Sequence, residues 1–204
     1  FVPGTSLDTA AAALEAPSPG LLASLGELCG LDLLLNNHDR LPLPCWQHQN
    51  RGNLTNAIVT PAGDLVGIDQ QVRPIQGPGL EAYLRDARDL AEQVFRGAAP
   101  AAAASIRGAI RMHCGVEMTD LSLERVVEGM AGVLRRAVLE AREGRLAEVL
   151  AAAAAEAGAT NFDTAAYVAA RVDAADVAAK DVAFVEQVVA AVAEAADGRA
   201  ERDV

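Results

Sequence analysis

The chain has 204 residues, of which 51% are hydrophobic and 3% aromatic, and its formal net charge is -11. This length and apolar content suffice for a globular domain with a buried core, and the alanine-rich composition favours helix. The acidic balance argues against nucleic acid as a partner, because phosphate backbones are held mainly by Lys and Arg, and it disfavours an anionic membrane surface.

The cysteines indicate a reducing compartment. Cys29, Cys45 and Cys114 form an odd, sparse set rather than a disulfide framework. We therefore expect a cytoplasmic protein. No membrane span is expected either, because Glu27 and Asp32 interrupt the leucine-rich stretch that comes nearest to one.

The first predicted elements are helical. An extended start at Pro3 is followed by a short alanine-rich helix from about Asp8 to Ala16. The segment from Pro17 to Gly20 is expected to separate this helix from the next. From Leu21 to about Asn36, leucines recur at helical spacing and predict a buried helix.

A loop and a hairpin are predicted next. The stretch from Leu41 to Gly52 holds Pro42 and Pro44, which cannot continue a helix or a central strand. Two short apolar runs, Ala57 to Thr60 and Leu65 to Ile68, flank a turn signal and predict a β-hairpin.

The rest of the chain is predicted to be a series of helices. They are Leu80 to Phe95, Ala101 to His113, a third from Asp120 or Ser122 to about Ala157, and two more after caps at Asn161 and Asp173. From about Asp197 the tail is polar and is expected to fray. The predicted fold class is mainly α, a helical bundle with one small β-hairpin.

Three polar side chains in the loop and hairpin have an order typical of phosphoryl transfer. Asp39 follows the buried helix, Asn56 leads into the first strand, and Asp69 ends the second. Such a reaction needs a carboxylate that orients the attacking hydroxyl, and an Asn and an Asp that hold metal ions on the nucleotide phosphates. A hairpin between Asn56 and Asp69 would bring both side chains to one site, and their oxygens suit magnesium.

The segments that carry these residues resemble the catalytic core of the actin-fragmin kinase family. They are Leu31-Asp-Leu-Leu-Leu-Asn-Asn-His-Asp-Arg40, Arg51-Gly-Asn-Leu-Thr-Asn56 and Gly67-Ile-Asp-Gln70. They are more distantly similar to the phosphatidylinositol kinases. The long insertion between Asp39 and Asn56 fits the actin-fragmin type better than a protein kinase, whose Asp and Asn are about five positions apart.

The resemblance, which covers roughly Leu21 to Leu90, implies the C-terminal lobe of a kinase that uses ATP and Mg²⁺. It implies that Asp39 is the catalytic base, with Arg40 beside it in the catalytic segment, and that Asn56 and Asp69 bind the metal and its nucleotide. The implied acceptor is a Ser or Thr hydroxyl on a protein, with actin or an actin-associated protein as the precedent.

The resemblance also sets the expected domain boundaries. They are the end of an inter-lobe segment with a short helix at 1–20, the kinase-like lobe at 21–196 and a frayed tail at 197–204. Within the lobe we expect the catalytic loop at 36–56, the hairpin at 57–69 and a helical remainder at 80–196.

Simpler interpretations of these residues stay open. Asn56 can cap a turn before the strand, and Asn50 and Asn53 are rival ligands, of which Asn53 more often shapes a loop. Arg40 is interpreted as a brace for the loop rather than a phosphate ligand. Trp46 is interpreted as a packing anchor for the insertion.

A kinase also needs a Gly-rich loop over the phosphates and a strand lysine that pairs with them. No such loop precedes the catalytic segment, and Lys180 is the only lysine. We therefore expect an N-terminal lobe upstream of Phe1, and no activity from these 204 residues alone. The alternatives are a degenerate kinase-like helical module for protein interaction, without activity, and a lipid or small-molecule kinase.

Overall fold

The computed structural model describes residues 3–46, 52–68, 73–150 and 174–200, with the side chains of the last helix described from 181 to 198. Its main elements are β1 (Thr5–Ser6), α1 (Ala11–Glu15), α2 (Pro19–Leu35), β2 (Ala57–Val59), β3 (Leu65–Gly67), α3 (Pro78–Phe95), α4 (Pro100–Cys114), α5 (Asp120–Arg142) and α6 (Ala174–Ala200). Single 3-10 turns cover Leu7–Thr9 and Leu54–Asn56. The prediction of a mainly helical fold is confirmed, and the predicted β-hairpin is part of a small three-stranded antiparallel sheet.

Helix α2 is the buried centre of the fold, as its leucine pattern predicts. The hydroxyl of Ser18 accepts a hydrogen bond from the backbone N–H of Leu21 at 3.0 Å, which satisfies one of the free donors at the start of the helix. The helix ends at Asn36, which adopts a left-handed conformation with φ of 51°. Asparagine tolerates this conformation better than most residues, so the chain can turn sharply there into the loop that follows.

Helices α2 and α5 cross with their backbones in contact. A Cβ added to Gly26 would lie 2.0 Å from the carbonyl oxygen of Val126, and one added to Gly129 would lie 2.3 Å from that of Ala23. Side chains larger than hydrogen have no room at these positions. The glycines therefore set the closest approach of the two helices.

The sheet is antiparallel, in the order β1-β2-β3. Ala57 pairs with Gly67 and Val59 with Leu65, so the predicted hairpin is confirmed. Thr5 also pairs with Val59 and adds a third strand, which the sequence did not predict. A strand of two residues is too short to show an alternating pattern.

The start of α5 differs from the prediction. Thr119 is its cap, rather than Asp120 or Ser122, because the Thr119 hydroxyl accepts a hydrogen bond from the backbone N–H of Ser122 at 3.1 Å. All three residue types can cap a helix, so the backbone path decides between them.

The predicted end of α5 near Ala157 is wrong. The helix ends at Arg142, because Gly144 adopts φ of 71° and interrupts it, and residues 146–150 are helical again. The predicted caps Asn161 and Asp173 lie outside the described residues. The last helix continues to Ala200, past the point where fraying was expected.

Helix α6 packs against α3 and α5. Phe184 stacks on Tyr83 with ring centroids 5.9 Å apart, and Val185, Val188 and Val192 are buried beside them. In the part of the chain that the structure describes, no helix is long and apolar enough to cross a membrane.

Candidate active site

Asp39 and Asn56 lie in contact just beyond the end of α2. The side-chain nitrogen of Asn56 donates a hydrogen bond to Oδ2 of Asp39 at 2.9 Å, although a long loop separates the two residues in sequence. Asn56 is nearly buried and Asp39 is partly exposed. Because the amide of Asn56 donates to Asp39 through its nitrogen, its oxygen lies on the other branch, and an amide oxygen is a ligand type that suits Mg²⁺.

Arg40 is fully buried and holds three elements together. Its Nη1 donates to Oδ1 of Asp32 at 2.6 Å, its Nε to the carbonyl oxygen of Asn56 at 3.1 Å, and its Nη2 to the carbonyl oxygen of Ile68 at 3.1 Å. The rigid fork of the guanidinium thereby ties α2 to both ends of the hairpin. The geometry is that of a brace, away from solvent.

Asp32 is the buried partner of Arg40, and it was not predicted as a site residue. Its Oδ1 also accepts from the side-chain nitrogen of Asn37 at 3.1 Å. Burial raises the pKa of Asp32 to about 7, and this effect outweighs the opposing effects of Arg40 and Asn37. The sequence did carry a signal, since an aspartate inside the run Leu31-Asp-Leu-Leu-Leu35 needs a buried partner.

Arg73 is a second residue that the sequence did not indicate. Its backbone N–H donates to the carbonyl oxygen of Leu35 at 3.0 Å, and its carbonyl oxygen accepts from the side chain of Asn36 at 2.7 Å. Its Nη1 lies 2.8 Å from Nε2 of His38. Because a guanidinium only donates, this contact requires Nε2 to accept, with the proton of a neutral ring on Nδ1.

Asp69, the predicted second metal ligand, lies outside the described residues. Ile68 and Arg73 are the nearest described residues on either side of Asp69, and both form hydrogen bonds with residues of the catalytic segment or the end of α2. Ile68 donates through its N–H to the carbonyl oxygen of Asn56 at 3.0 Å and accepts from Arg40, and Arg73 bonds to residues 35–38. Within the described ranges, no group of three or more His, Cys, Asp or Glu side chains is placed to hold a metal ion.

The loop between Asp39 and Asn56 is closed by its own backbone. Asn53 donates through its N–H to the carbonyl oxygen of Arg40 at 2.9 Å, and its side-chain oxygen accepts from the hydroxyl of Thr55. This role fits the interpretation of Asn53 as a residue that shapes the loop; its rival Asn50 lies outside the described residues. Trp46 is half-buried and meets the ring of His38 edge to face, with centroids 6.4 Å apart.

Comparison with known families bears on this segment. Residues 11–71 match the family model described as actin-fragmin kinase, catalytic. The match includes Asp39, Arg40, Asn56 and Asp69, so the resemblance is confirmed for this part of the chain and indicates a kinase-like catalytic segment. No curated protein matches the chain.

Proposed function

We propose that the chain is the C-terminal catalytic lobe of a kinase that transfers the γ-phosphoryl group of ATP to a Ser or Thr hydroxyl of a protein. The hydrogen bond between Asp39 and Asn56 carries the proposal, because it joins the two described members of the expected constellation inside the matched segment. The similarity to the family suggests actin or an actin-associated protein as the acceptor. A cytoplasmic location belongs to the same proposal.

Asp39 acts as the base in this reaction. Its carboxylate orients the acceptor hydroxyl and takes its proton, while the hydroxyl oxygen forms a bond to the γ-phosphorus. The bond between that phosphorus and the oxygen bridging to the β-phosphate breaks, and ADP leaves. The hydrogen bond from Asn56 fixes the orientation of the carboxylate.

Asn56 and Asp69 would hold Mg²⁺, through an amide oxygen and a carboxylate. Bound there, the ion neutralises negative charge on the nucleotide phosphates. The buried Arg40 contributes by holding the backbone of Asn56 in place rather than by meeting phosphate.

The phosphates also need a cover that these residues do not supply. The 204 residues contain one lysine, Lys180, and no Gly-rich loop ahead of the catalytic segment. Under the proposal, phosphoryl transfer requires a Gly-rich cover and a paired lysine over the phosphates in addition to the groups described above.

The proposal is tested with Asp39→Asn and Asp69→Asn in the full protein, assayed with MgATP and actin. Asp39→Asn should lower kcat by about 10²- to 10⁴-fold, the range for a lost general base, and leave the Kd for nucleotide nearly unchanged. Asp69→Asn should weaken nucleotide binding only when magnesium is present. Asp64→Asn is the matched control, because Asp64 is exposed in the hairpin turn.

Unchanged transfer in Asp39→Asn would remove Asp39 from the role of base. A wild-type protein that binds no MgATP would favour the inactive interaction module instead. Phosphate found only on lipid or a small molecule would favour the other kinase classes.

A further inference from the structure

We propose that Asp32 is a positioning residue of this site, which acts through Arg40 on Asn56. The inference rests on the proposed function and adds to it a residue outside the expected set of Asp39, Arg40, Asn56 and Asp69. The described hydrogen bonds of Asp32 reach neither Asp39 nor Asn56, so its effect on them must pass through its partner Arg40.

The first step is the anchoring of Asp32 itself. It lies on α2, the helix held against α5 by the glycine crossing, and its side chain is fully buried. Its carbonyl oxygen accepts from the backbone N–H groups of Asn36 and Asn37, which end the helix. The carboxyl is therefore fixed to a buried helix and bonds to Asn37 and Arg40 in the loop that follows.

The second step is the orientation of Arg40. A buried guanidinium is costly unless a charge is paired with it and its donors are satisfied. Oδ1 of Asp32 lies 2.6 Å from Nη1 and is the paired group of the guanidinium. With Nη1 fixed, the planar fork directs the remaining donors, Nε and Nη2, in defined directions.

The third step is the target of those two donors. Nε meets the carbonyl oxygen of Asn56, and Nη2 meets the carbonyl oxygen of Ile68. Asn56 is one predicted metal ligand, and Ile68 directly precedes the other, Asp69. Through Arg40, Asp32 thus sets the backbone positions of Asn56 and Ile68 at the two ends of the hairpin.

If the ion pair between Asp32 and Arg40 served only the stability of the fold, the variants should behave differently. Removing one partner of a buried pair destabilises the fold, whereas replacing both by apolar residues of similar volume is often neutral or stabilising. If Asp32 and Arg40 only stabilise, the double replacement should restore everything. If they position Asn56, the double replacement should restore part of the stability and leave Asn56 displaced.

The experiment compares Asp32→Asn with the double variant Asp32→Leu/Arg40→Met in the full protein. Asp32→Asn should lower stability and raise the Mg²⁺ concentration for half-maximal transfer by about 10- to 100-fold, the range seen when supporting partners of metal ligands are lost. The double variant should recover part of the unfolding midpoint, since the carbonyl oxygens of Asn56 and Ile68 lose their Arg40 donors, and should keep the raised Mg²⁺ requirement. Recovery of both would overturn the proposal.

A second measurement does not depend on activity. The side-chain amide NMR signal of Asn56, which donates to Asp39, should shift in both variants without metal. Leu123→Ala is the control, because Leu123 is buried in α5 and takes part in none of these hydrogen bonds. This variant should be less stable than the wild type, while the Asn56 signal stays unshifted.

An unshifted Asn56 signal in the double variant would overturn the positioning role, whatever the activity. A shifted signal in a protein whose wild type transfers no phosphate would contradict the proposed function and leave the positioning geometry standing. The two failures are therefore distinguishable.

Discussion

At the scale of single residues, the pH dependence of stability should report on Asp32. Its pKa is raised from the usual 3.8 to about 7 by burial, so the folded state binds this proton more tightly than the unfolded chain. The contribution of this group to stability is therefore fully present below pH 3.8 and is lost as pH rises towards 7. Asp32→Asn has no such proton.

We expect the free energy of unfolding of the wild type, minus that of Asp32→Asn, to fall steadily between about pH 4 and pH 7. Urea titrations of both proteins across this range measure the difference, and other titrating groups largely cancel in it. A difference that is flat or rises with pH would contradict the direction of the pKa shift.

The same residues show how far sequence reasoning reaches into the site. Residue type and spacing were enough to single out Asp39 and Asn56, and the structure places them in contact. Arg73 could not be found in this way, because its contacts with residues 35–38 depend on the path of the chain after the hairpin. Contacts between residues that only the tertiary fold brings together leave no periodicity or spacing pattern in the sequence.

At the scale of elements, the crossing of α2 and α5 predicts a severe effect of adding one methyl group. Gly26→Ala would place Cβ 2.0 Å from the carbonyl oxygen of Val126, and backbone cannot move aside as a flexible side chain can. We expect the free energy of unfolding to fall by about 3 kcal/mol, the upper part of the range for overpacking. Denaturant titration measures it.

Gly132→Ala is the matched control, since it adds the same methyl group to α5 where nothing lies within 4 Å. Alanine favours helix over glycine, so this variant should gain about 0.5–1 kcal/mol. Equal effects of the two substitutions would mean that helix propensity, and not the crossing, governs the result.

Element type was more predictable than element ends. The leucine spacing of α2 and the turn between β2 and β3 are local signals, and both elements were predicted. The ends of α5 are less predictable, since Thr119 competes with two other capping residues and one glycine, Gly144, interrupts an otherwise helical pattern. The pairing of Thr5 with Val59 joins distant parts of the chain and has no local signal.

At the scale of the whole molecule, α6 and the catalytic segment share one hydrophobic cluster. Phe184→Ala removes the ring that stacks on Tyr83, and the Tyr83 hydroxyl in turn donates to the carbonyl oxygen of Leu33 on α2. We expect a loss of about 3–5 kcal/mol in a single cooperative transition.

Two probes test this cooperativity. Circular dichroism follows the helices, and fluorescence of Trp46, the only tryptophan, follows the region beside His38. Both midpoints should shift together in Phe184→Ala. Leu139→Ala, at a side chain that is 51% exposed, should change stability by less than about 0.5 kcal/mol. Separated midpoints would show that α6 unfolds independently of the site.

The hydrogen bond from Asn53 to the carbonyl oxygen of Arg40 has a consequence for how such a site can diversify. The chain leaves the catalytic segment after Arg40 and returns to the same residue at Asn53. The number of residues between Arg40 and Asn53 therefore does not set the distance between Asp39 and Asn56. A change in the length of this segment therefore need not move Asp39 relative to Asn56, provided that Leu41, Leu43 and Cys45 keep their buried places in the hydrophobic cluster.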